Sequence, residues 1–201
     1  MTPVTDGAWD PGAIAVDGQP EKEFNLTLAH AVRERLSRYP CKVILTREGD
    51  TALAAAGDLA SELRNRANVG NKVEADLFLS LHHDNLTGKP EARGGSLWIW
   101  RDFPGKGVGH APATDPTTGV PLHAAPQSYE IALELLPFVR DALAAHGIPW
   151  RSYGSPDGIC CADFGVLRRS NGKAVLLECF FGSSPEDVAI ARRPEFIPDL
   201  A

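Results

Sequence analysis

The chain has 201 residues, a hydrophobic content of 43% and a formal net charge of -6 at pH 7. A chain of this length can bury a substantial core as one domain, so no second domain is required. Its acidic balance, with no block of like charges, argues against nucleic acid or an anionic membrane surface as the main partner. No apolar stretch approaches the roughly 20 residues of a membrane-spanning helix, and residues 1–6 lack the basic and apolar regions of a secretion signal.

Apolar segments alternate with polar turns along the chain, in the order helix then strand. In the first half we predict a helix near 21–38, a strand near 42–47, a helix near 58–68 and a strand ending at His82. In the second half we predict a strand near 95–101, a helix over 128–146, a strand ending at Glu178 and a last helix from Ser184. This alternation indicates a single-domain, layered α/β fold over residues 1–201, with a twisted, mostly parallel sheet and helices on both faces.

Two segments interrupt this regular pattern. Pro137 falls inside the predicted helix 128–146, so we expect either a kink or two shorter helices there. Residues 101–127 show no periodicity and are rich in Gly and Pro. A loop of this length is uncommon in a compact domain and often functional, so it is either a substrate-facing flap or a disordered surface insertion.

The chain has four cysteines, at positions 41, 160, 161 and 179. They are too few and too irregularly spaced for a disulfide framework or a four-thiolate zinc site. Cys41 and Cys179 are interpreted as small core residues, and the role of Cys160 and Cys161 is left open.

The polar residues that follow the run 75–81 indicate a site. This run is almost wholly apolar and ends abruptly in His82, His83 and Asp84. In open α/β sheets, ligands bind in the crevice at the carboxyl ends of parallel strands, which is where these side chains are expected. The alternative is that the two histidines cap the strand and face water.

Two glutamates are candidates for the same site. Glu178 closes the apolar run 174–177, where an isolated charge is costly unless it is paired, metal-bound or used in chemistry. Its alternative role is a structural ion pair with Arg168 or Arg169. Glu21 heads the first predicted helix, where acidic residues are also common because they complement the helix dipole.

Taken together, several short motifs resemble the zinc-dependent N-acetylmuramoyl-L-alanine amidases of bacterial cell separation and spore lysis, over about residues 6–190. Their order and spacing carry the resemblance more than any one of them does. The motifs are Asp10-Pro11-Gly12-Ala13, Glu21-Lys22-Glu23, Thr46-Arg47-Glu48-Gly49-Asp50, Arg66-Ala67-Asn68, the run 75–82 and Leu176-Leu177-Glu178-Cys179-Phe180-Phe181.

The resemblance implies a function and a set of roles. Glu21 and His82 would be Zn²⁺ ligands, and Glu178 would be the catalytic carboxylate. The bond cut would be the amide between the lactyl group of N-acetylmuramic acid and L-alanine of the peptidoglycan stem peptide. The resemblance also implies a periplasmic or cell-wall location. A regulatory activator protein is a further expected partner.

The chain departs from this family at its start. The family opens with a strand leading into Asp-Pro-Gly-His-Gly-Gly, whose His is the first zinc ligand, and alignment back from Asp10 places Asp6 at that position. Two explanations compete: the sequence starts late, or the site has changed to Asp6, Glu21 and His82. Zinc accepts carboxylate oxygen as well as imidazole nitrogen, which makes the second explanation chemically feasible.

Two other functions are weighed beside the amidase. One is another zinc amidohydrolase, such as an N-formylglutamate deformylase-like enzyme, which would need an arginine for a free substrate carboxylate; the pair Arg168-Arg169 is the candidate, with Arg168 assigned to the substrate. The other is a degenerate, non-catalytic protein that binds peptidoglycan, which the absent His motif favours.

Overall fold

The computed structural model describes residues 12–55, 58–100 and 126–201. Its helices are α1 (Glu21–Leu36), α2 (Leu59–Lys72), α3 (Pro126–Ala145), α4 (Gly165–Arg168), α5 (Pro185–Ala191) and α6 (Phe196–Leu200). Its strands are β1 (Phe78–Asp84), β2 (Ser96–Trp100), β3 (Ile159–Ala162) and β4 (Ala174–Phe181). Among these residues, no helix is both long and apolar enough to cross a bilayer.

The strands form one sheet in the order β1-β4-β2-β3. The β1/β4 and β2/β3 pairs are parallel, and the β2/β4 pair is antiparallel. The predicted single-domain α/β fold with a mostly parallel sheet is therefore confirmed, with one antiparallel pair at its centre.

Two apolar clusters lie on opposite faces of the sheet. Along β4, Val175 and Leu177 belong to the first cluster, and Leu176 belongs to the second. This alternation follows from the two-residue period of a strand, which sends successive side chains to opposite faces. α1 packs Phe24 into the first cluster and α2 packs Ala67 into the second, so helices cover both faces.

Local sequence signals explain several helix boundaries. At the start of α2, the Asp58 carboxylate accepts a hydrogen bond from the Ser61 amide at 2.9 Å. The start of α5 at Pro185 after the Ser184 cap agrees with the predicted capping pattern. α3 is one continuous helix with Pro137 inside it, which excludes two shorter helices; the kink, the other expected alternative, stays a prediction.

The segment 42–47 is not a strand, contrary to the sequence prediction. Side chains around it bond to α1 instead: Lys22 pairs with Asp50 at 2.9 Å, and Arg33 pairs with Glu48 at 2.7 Å. Arg47 also donates a hydrogen bond to the carbonyl of Lys22. The apolar composition of 43–45 predicts extended backbone, but a strand also needs a neighbouring strand, and none pairs with it in the described ranges.

The cysteines and the long loop give further corrections. Cys160 and Cys161 lie in the buried strand β3, which the sequence analysis did not predict. Cys179 is buried as predicted, whereas Cys41 is exposed, so its assignment to the core is wrong. Of the predicted loop 101–127, residues 101–125 lie outside the described residues, and its last two residues already belong to α3.

Candidate active site at the carboxyl end of β1 and β4

His82 and Glu178 are neighbours across the parallel pair β1/β4, where their Cα atoms are register partners. On the other side of β4, Ser96 of β2 is the register partner of Glu178. Register partners in neighbouring strands project to the same face, so these three residues form a row. Glu178 does not end its strand as predicted, because β4 continues to Phe181.

Glu21 reaches this row from the first turn of α1. Its Oε1 lies 2.6 Å from Nδ1 of His82 and accepts a hydrogen bond from the Asn25 amide at 3.2 Å. Its Oε2 accepts a hydrogen bond from the Ala13 backbone N–H at 3.0 Å. The other ring nitrogen of His82 lies 2.9 Å from the Ser80 hydroxyl. Both oxygens of Glu21 are therefore engaged.

These contacts keep Glu21 ionised although it is buried. Burial alone would raise the pKa of its carboxyl, but the hydrogen bond to His82, the charge of that ring and the Ala13 amide outweigh burial and lower the pKa to about 2. Gly12 makes room for this arrangement, because a Cβ at that position would lie 2.5 Å from Oε2 of Glu21.

Glu178 has the opposite environment. Its Oε2 is buried and has no hydrogen-bond partner among the described residues. Burial raises the pKa of Glu178 well above its ordinary value, and the negative charges of Asp84 and Glu21 raise it further. The expected alternative, an ion pair with Arg168 or Arg169, is wrong for the part of the chain described here, since Arg168 pairs with Asp163 and Arg169 donates to a backbone carbonyl.

His83 does not join His82. It is 3% exposed and lies in the first apolar cluster, with ring centroids 4.8 Å from Phe180 and 6.2 Å from Phe24. Burial lowers the pKa of His83 and so favours its neutral form. Gly182 allows this packing, because a Cβ there would lie 2.6 Å from the His83 ring. Adjacent strand residues thus face opposite sides.

Asp84 and Tyr153 form a further polar pair at this end of the sheet. The Tyr153 hydroxyl donates a hydrogen bond to Oδ2 of Asp84 at 3.0 Å, and the backbone N–H of Asn85 donates to Oδ1 at 2.7 Å. Burial and the neighbouring carboxylate raise the pKa of Tyr153. The sequence analysis noted Asp84 in the polar cluster but did not identify Tyr153, which lies in a loop far along the chain and carries no local signal.

The remaining predicted site residues are placed as follows. Arg168 is exposed at the end of α4. Its contact with substrate stays a prediction. Asp6 lies outside the described residues. Within those residues, no group of three or more His, Cys, Asp or Glu side chains is arranged to hold a metal ion; Glu21 and His82 supply two ligand groups.

Comparison with known proteins places the chain in a family. Residues 5–201 match the sequence profile of Amidase_3, the N-acetylmuramoyl-L-alanine amidases. The chain belongs to this amidase family. The match includes the segments that carry Glu21, His82 and Glu178, so the family assignment and the site concern the same part of the chain.

Individual relatives agree with the family assignment. N-acetylmuramoyl-L-alanine amidase AmiA of Escherichia coli K12 is 37% identical over 92 residues, which cover 46% of this amidase-family chain and 29% of AmiA. The chain therefore aligns with less than a third of that curated relative.

Solved structures agree in fold. The catalytic domain of CwlV, an amidase from Bacillus (Paenibacillus) polymyxa, superposes with a TM-score of 0.71 at 24% identity, covering 96% of this chain and 86% of that domain. The CwlD amidase of Clostridioides difficile, solved in complex with the GerS lipoprotein, superposes with a TM-score of 0.65 at 20% identity, covering 98% of this chain and 88% of that one.

Proposed function

We propose that this protein hydrolyses the amide between the lactyl group of N-acetylmuramic acid and L-alanine of peptidoglycan stem peptides, and that it does so with zinc. The observation that carries the proposal is the contrast within one row of side chains. His82 is bonded to an ionised Glu21, and beside it Glu178 presents a buried oxygen with no partner. Family membership supplies the expected substrate.

The donor set fits zinc. Imidazole nitrogen and carboxylate oxygen are both zinc ligands, and here they meet at 2.6 Å in a partly buried contact. Glu21 and His82 would hold the ion, with Asp6 as the third protein ligand. When bound, zinc lowers the pKa of water and polarises a carbonyl group.

Glu178 would carry the proton. It would accept a proton from the water that attacks the scissile carbonyl and then donate it to the departing amine of L-alanine. Its raised pKa suits this exchange, because it makes the Glu178 carboxylate a stronger base than an exposed glutamate. An oxygen that already accepts a hydrogen bond from the protein would have to lose it before taking a proton from water. Oε2 has no such hydrogen bond among the residues described.

Location and partners follow from the proposed substrate. Peptidoglycan lies outside the cytoplasm, so we propose a periplasmic or cell-wall site of action. A regulatory activator protein remains part of the proposal, supported by the solved complex of the CwlD amidase with a lipoprotein.

The experiment is mass spectrometry of the products released from purified muropeptides by the zinc-supplemented protein. We expect free stem peptides that begin with L-alanine, and release that is slower by about 10²–10⁴-fold with the Glu178→Gln variant. Saturable binding to sacculi without release would favour the non-catalytic alternative. Turnover of small N-acyl amino acids without activity on muropeptides would favour the other amidohydrolase.

A further inference from the structure

Arg151 lies beside the candidate site and is held there by its backbone and its side-chain stem. Its amide donates a hydrogen bond to the Gly95 carbonyl at 2.8 Å, directly before β2. The stem packs closely on Gly94, where an added Cβ would lie 2.9 Å from Cγ of Arg151. The position of this side chain is therefore fixed by the chain segment that leads into the sheet.

The guanidinium of Arg151 lies between two aromatic rings. Its Cζ is 4.8 Å from the ring centroid of Tyr153 and 4.9 Å from that of Phe181. Cation–π contacts of this kind orient the planar guanidinium without using its N–H donors. In the described ranges, no carboxylate pairs with Arg151, whereas the nearby Arg93 pairs with Asp187 at 2.7 Å.

The two rings connect Arg151 to the site. Phe181 follows Glu178 on β4 and is the register partner of Asp84 on β1. The Tyr153 hydroxyl donates to that same Asp84, whose charge acts on Glu178. The Arg151 guanidinium therefore lies at the same end of the β1/β4 pair as the candidate catalytic carboxylate, a short way beyond it along the strands.

We propose that Arg151 binds a carboxylate of the stem peptide and makes this enzyme prefer substrates whose second residue is acidic. This inference rests on the proposed amidase function. In stem peptides, the residue after L-alanine is a glutamate joined through its side chain, so its α-carboxyl group is either a free carboxylate or amidated. A planar guanidinium with free N–H groups binds a carboxylate in bidentate fashion, which a carboxamide cannot match.

The test uses two muropeptides that differ only in that group, one with a free α-carboxylate and one with the carboxamide. For the wild-type protein we expect kcat/KM to be about 10–100-fold higher on the free acid, the range of a charge-assisted hydrogen bond. Arg151→Gln should remove this preference by raising KM for the acid much more than KM for the amide substrate. Arg151→Lys should keep part of the preference.

The control is Arg140→Gln, an exposed arginine on α3 whose substitution should leave both substrates unaffected. Wild-type protein without a preference would overturn the proposal, as would an equal loss of activity on both substrates in Arg151→Gln, which would mean that Arg151 only packs against Tyr153 and Phe181. Loss of the preference in Arg168→Gln instead would place the carboxylate at Arg168.

Two measurements distinguish a failure of this inference from a folding defect and from a failure of the proposed function: thermal unfolding of the variants and cleavage of the two muropeptides. Thermal unfolding followed by circular dichroism checks that each variant is folded. If Arg151→Gln does not fold, the wild-type ratio and Arg151→Lys still decide the question. Failure to cleave either muropeptide would count against the amidase function, whereas cleavage of both at equal rates would count only against the role of Arg151.

Discussion

Glu21 and Glu178 bring two carboxylates to the same end of the sheet, yet their surroundings act on them in opposite directions. Glu21 is hydrogen-bonded through both oxygens, and its pKa falls to about 2. Glu178 has a buried oxygen with no partner among the described residues, and its pKa rises well above the ordinary value. The difference comes from partners, since burial acts on both carboxylates in the same direction.

This contrast separates two chemical tasks. A carboxylate that binds a metal ion must be ionised at neutral pH, and the hydrogen bonds to Glu21 favour that form. A general base must be able to take and release a proton, which a raised pKa favours. Two titratable groups whose environments push their pKa values apart are the usual sign of such a division of roles. The predictions below test whether the two glutamates are separable in this way.

The largest effect is expected at Glu178. Replacing it with Gln keeps the shape but removes proton transfer, so kcat on muropeptides should fall by about 10²–10⁴-fold. Zinc content, measured by atomic absorption after dialysis, should stay at the wild-type level. Loss of zinc together with activity would mean that Glu178 holds the metal rather than the proton.

At Glu21, by contrast, the expected loss is in zinc affinity. Glu21→Gln removes the charge that faces His82, and zinc affinity measured by competition with a chelator should fall by about 10–100-fold or more. Glu23→Gln is the matched control, because Glu23 lies in the same first turn of α1 but is exposed. Unchanged zinc affinity in Glu21→Gln would contradict the assignment of Glu21 as a ligand.

The sequence allowed the elements that carry these two glutamates to be predicted, because their signals are local. The apolar runs before His82 and Glu178 indicate buried strands, and the acidic turn before an apolar stripe indicates the helix that starts at Glu21. Their convergence was inferred from the position of polar residues at strand ends and from resemblance to a family, and the register of β1 with β4 brings His82 and Glu178 together.

What the sequence could not predict depends on distant contacts. The segment 42–47 has strand composition but no neighbouring strand within the described residues, and β3 is too short at Ile159–Ala162 to give a periodic signal. Tyr153 meets Asp84 across 69 positions of sequence. Its backbone has a φ of 48°, unusual for a non-glycine residue, and no local pattern indicates this conformation.

A smaller effect is expected at Gly12, which leaves room for Glu21. Its φ is 74°, so Gly12→Ala should lower the free energy of unfolding by about 1–2 kcal/mol from backbone strain. The added methyl group would also collide with Glu21 and weaken zinc binding. Gly18→Ala is the matched control: its φ is 85°, but the space around it is open, so it should lose stability without losing zinc affinity. Equal zinc affinity in both variants would show that Gly12 does not position Glu21.

The smallest effect concerns stability and its dependence on pH in protein kept metal-free with a chelator. Because the pKa of Glu178 is raised on folding, the folded state holds its proton above the ordinary value of 4.5, where the unfolded state has released it. The stability of the wild-type protein is therefore lowered as the pH rises from that value towards the folded-state pKa. Glu178→Gln has no such titration, so it should be more stable than wild type by about 1 kcal/mol at pH 8, with a smaller difference at pH 5.

Glu21→Gln should be less stable than wild type at both pH values, because a lowered pKa contributes stability that is lost only as the pH falls towards about 2. Urea unfolding at the two pH values measures both differences, and a change of the same sign in the two variants would contradict the opposite roles assigned to the two glutamates.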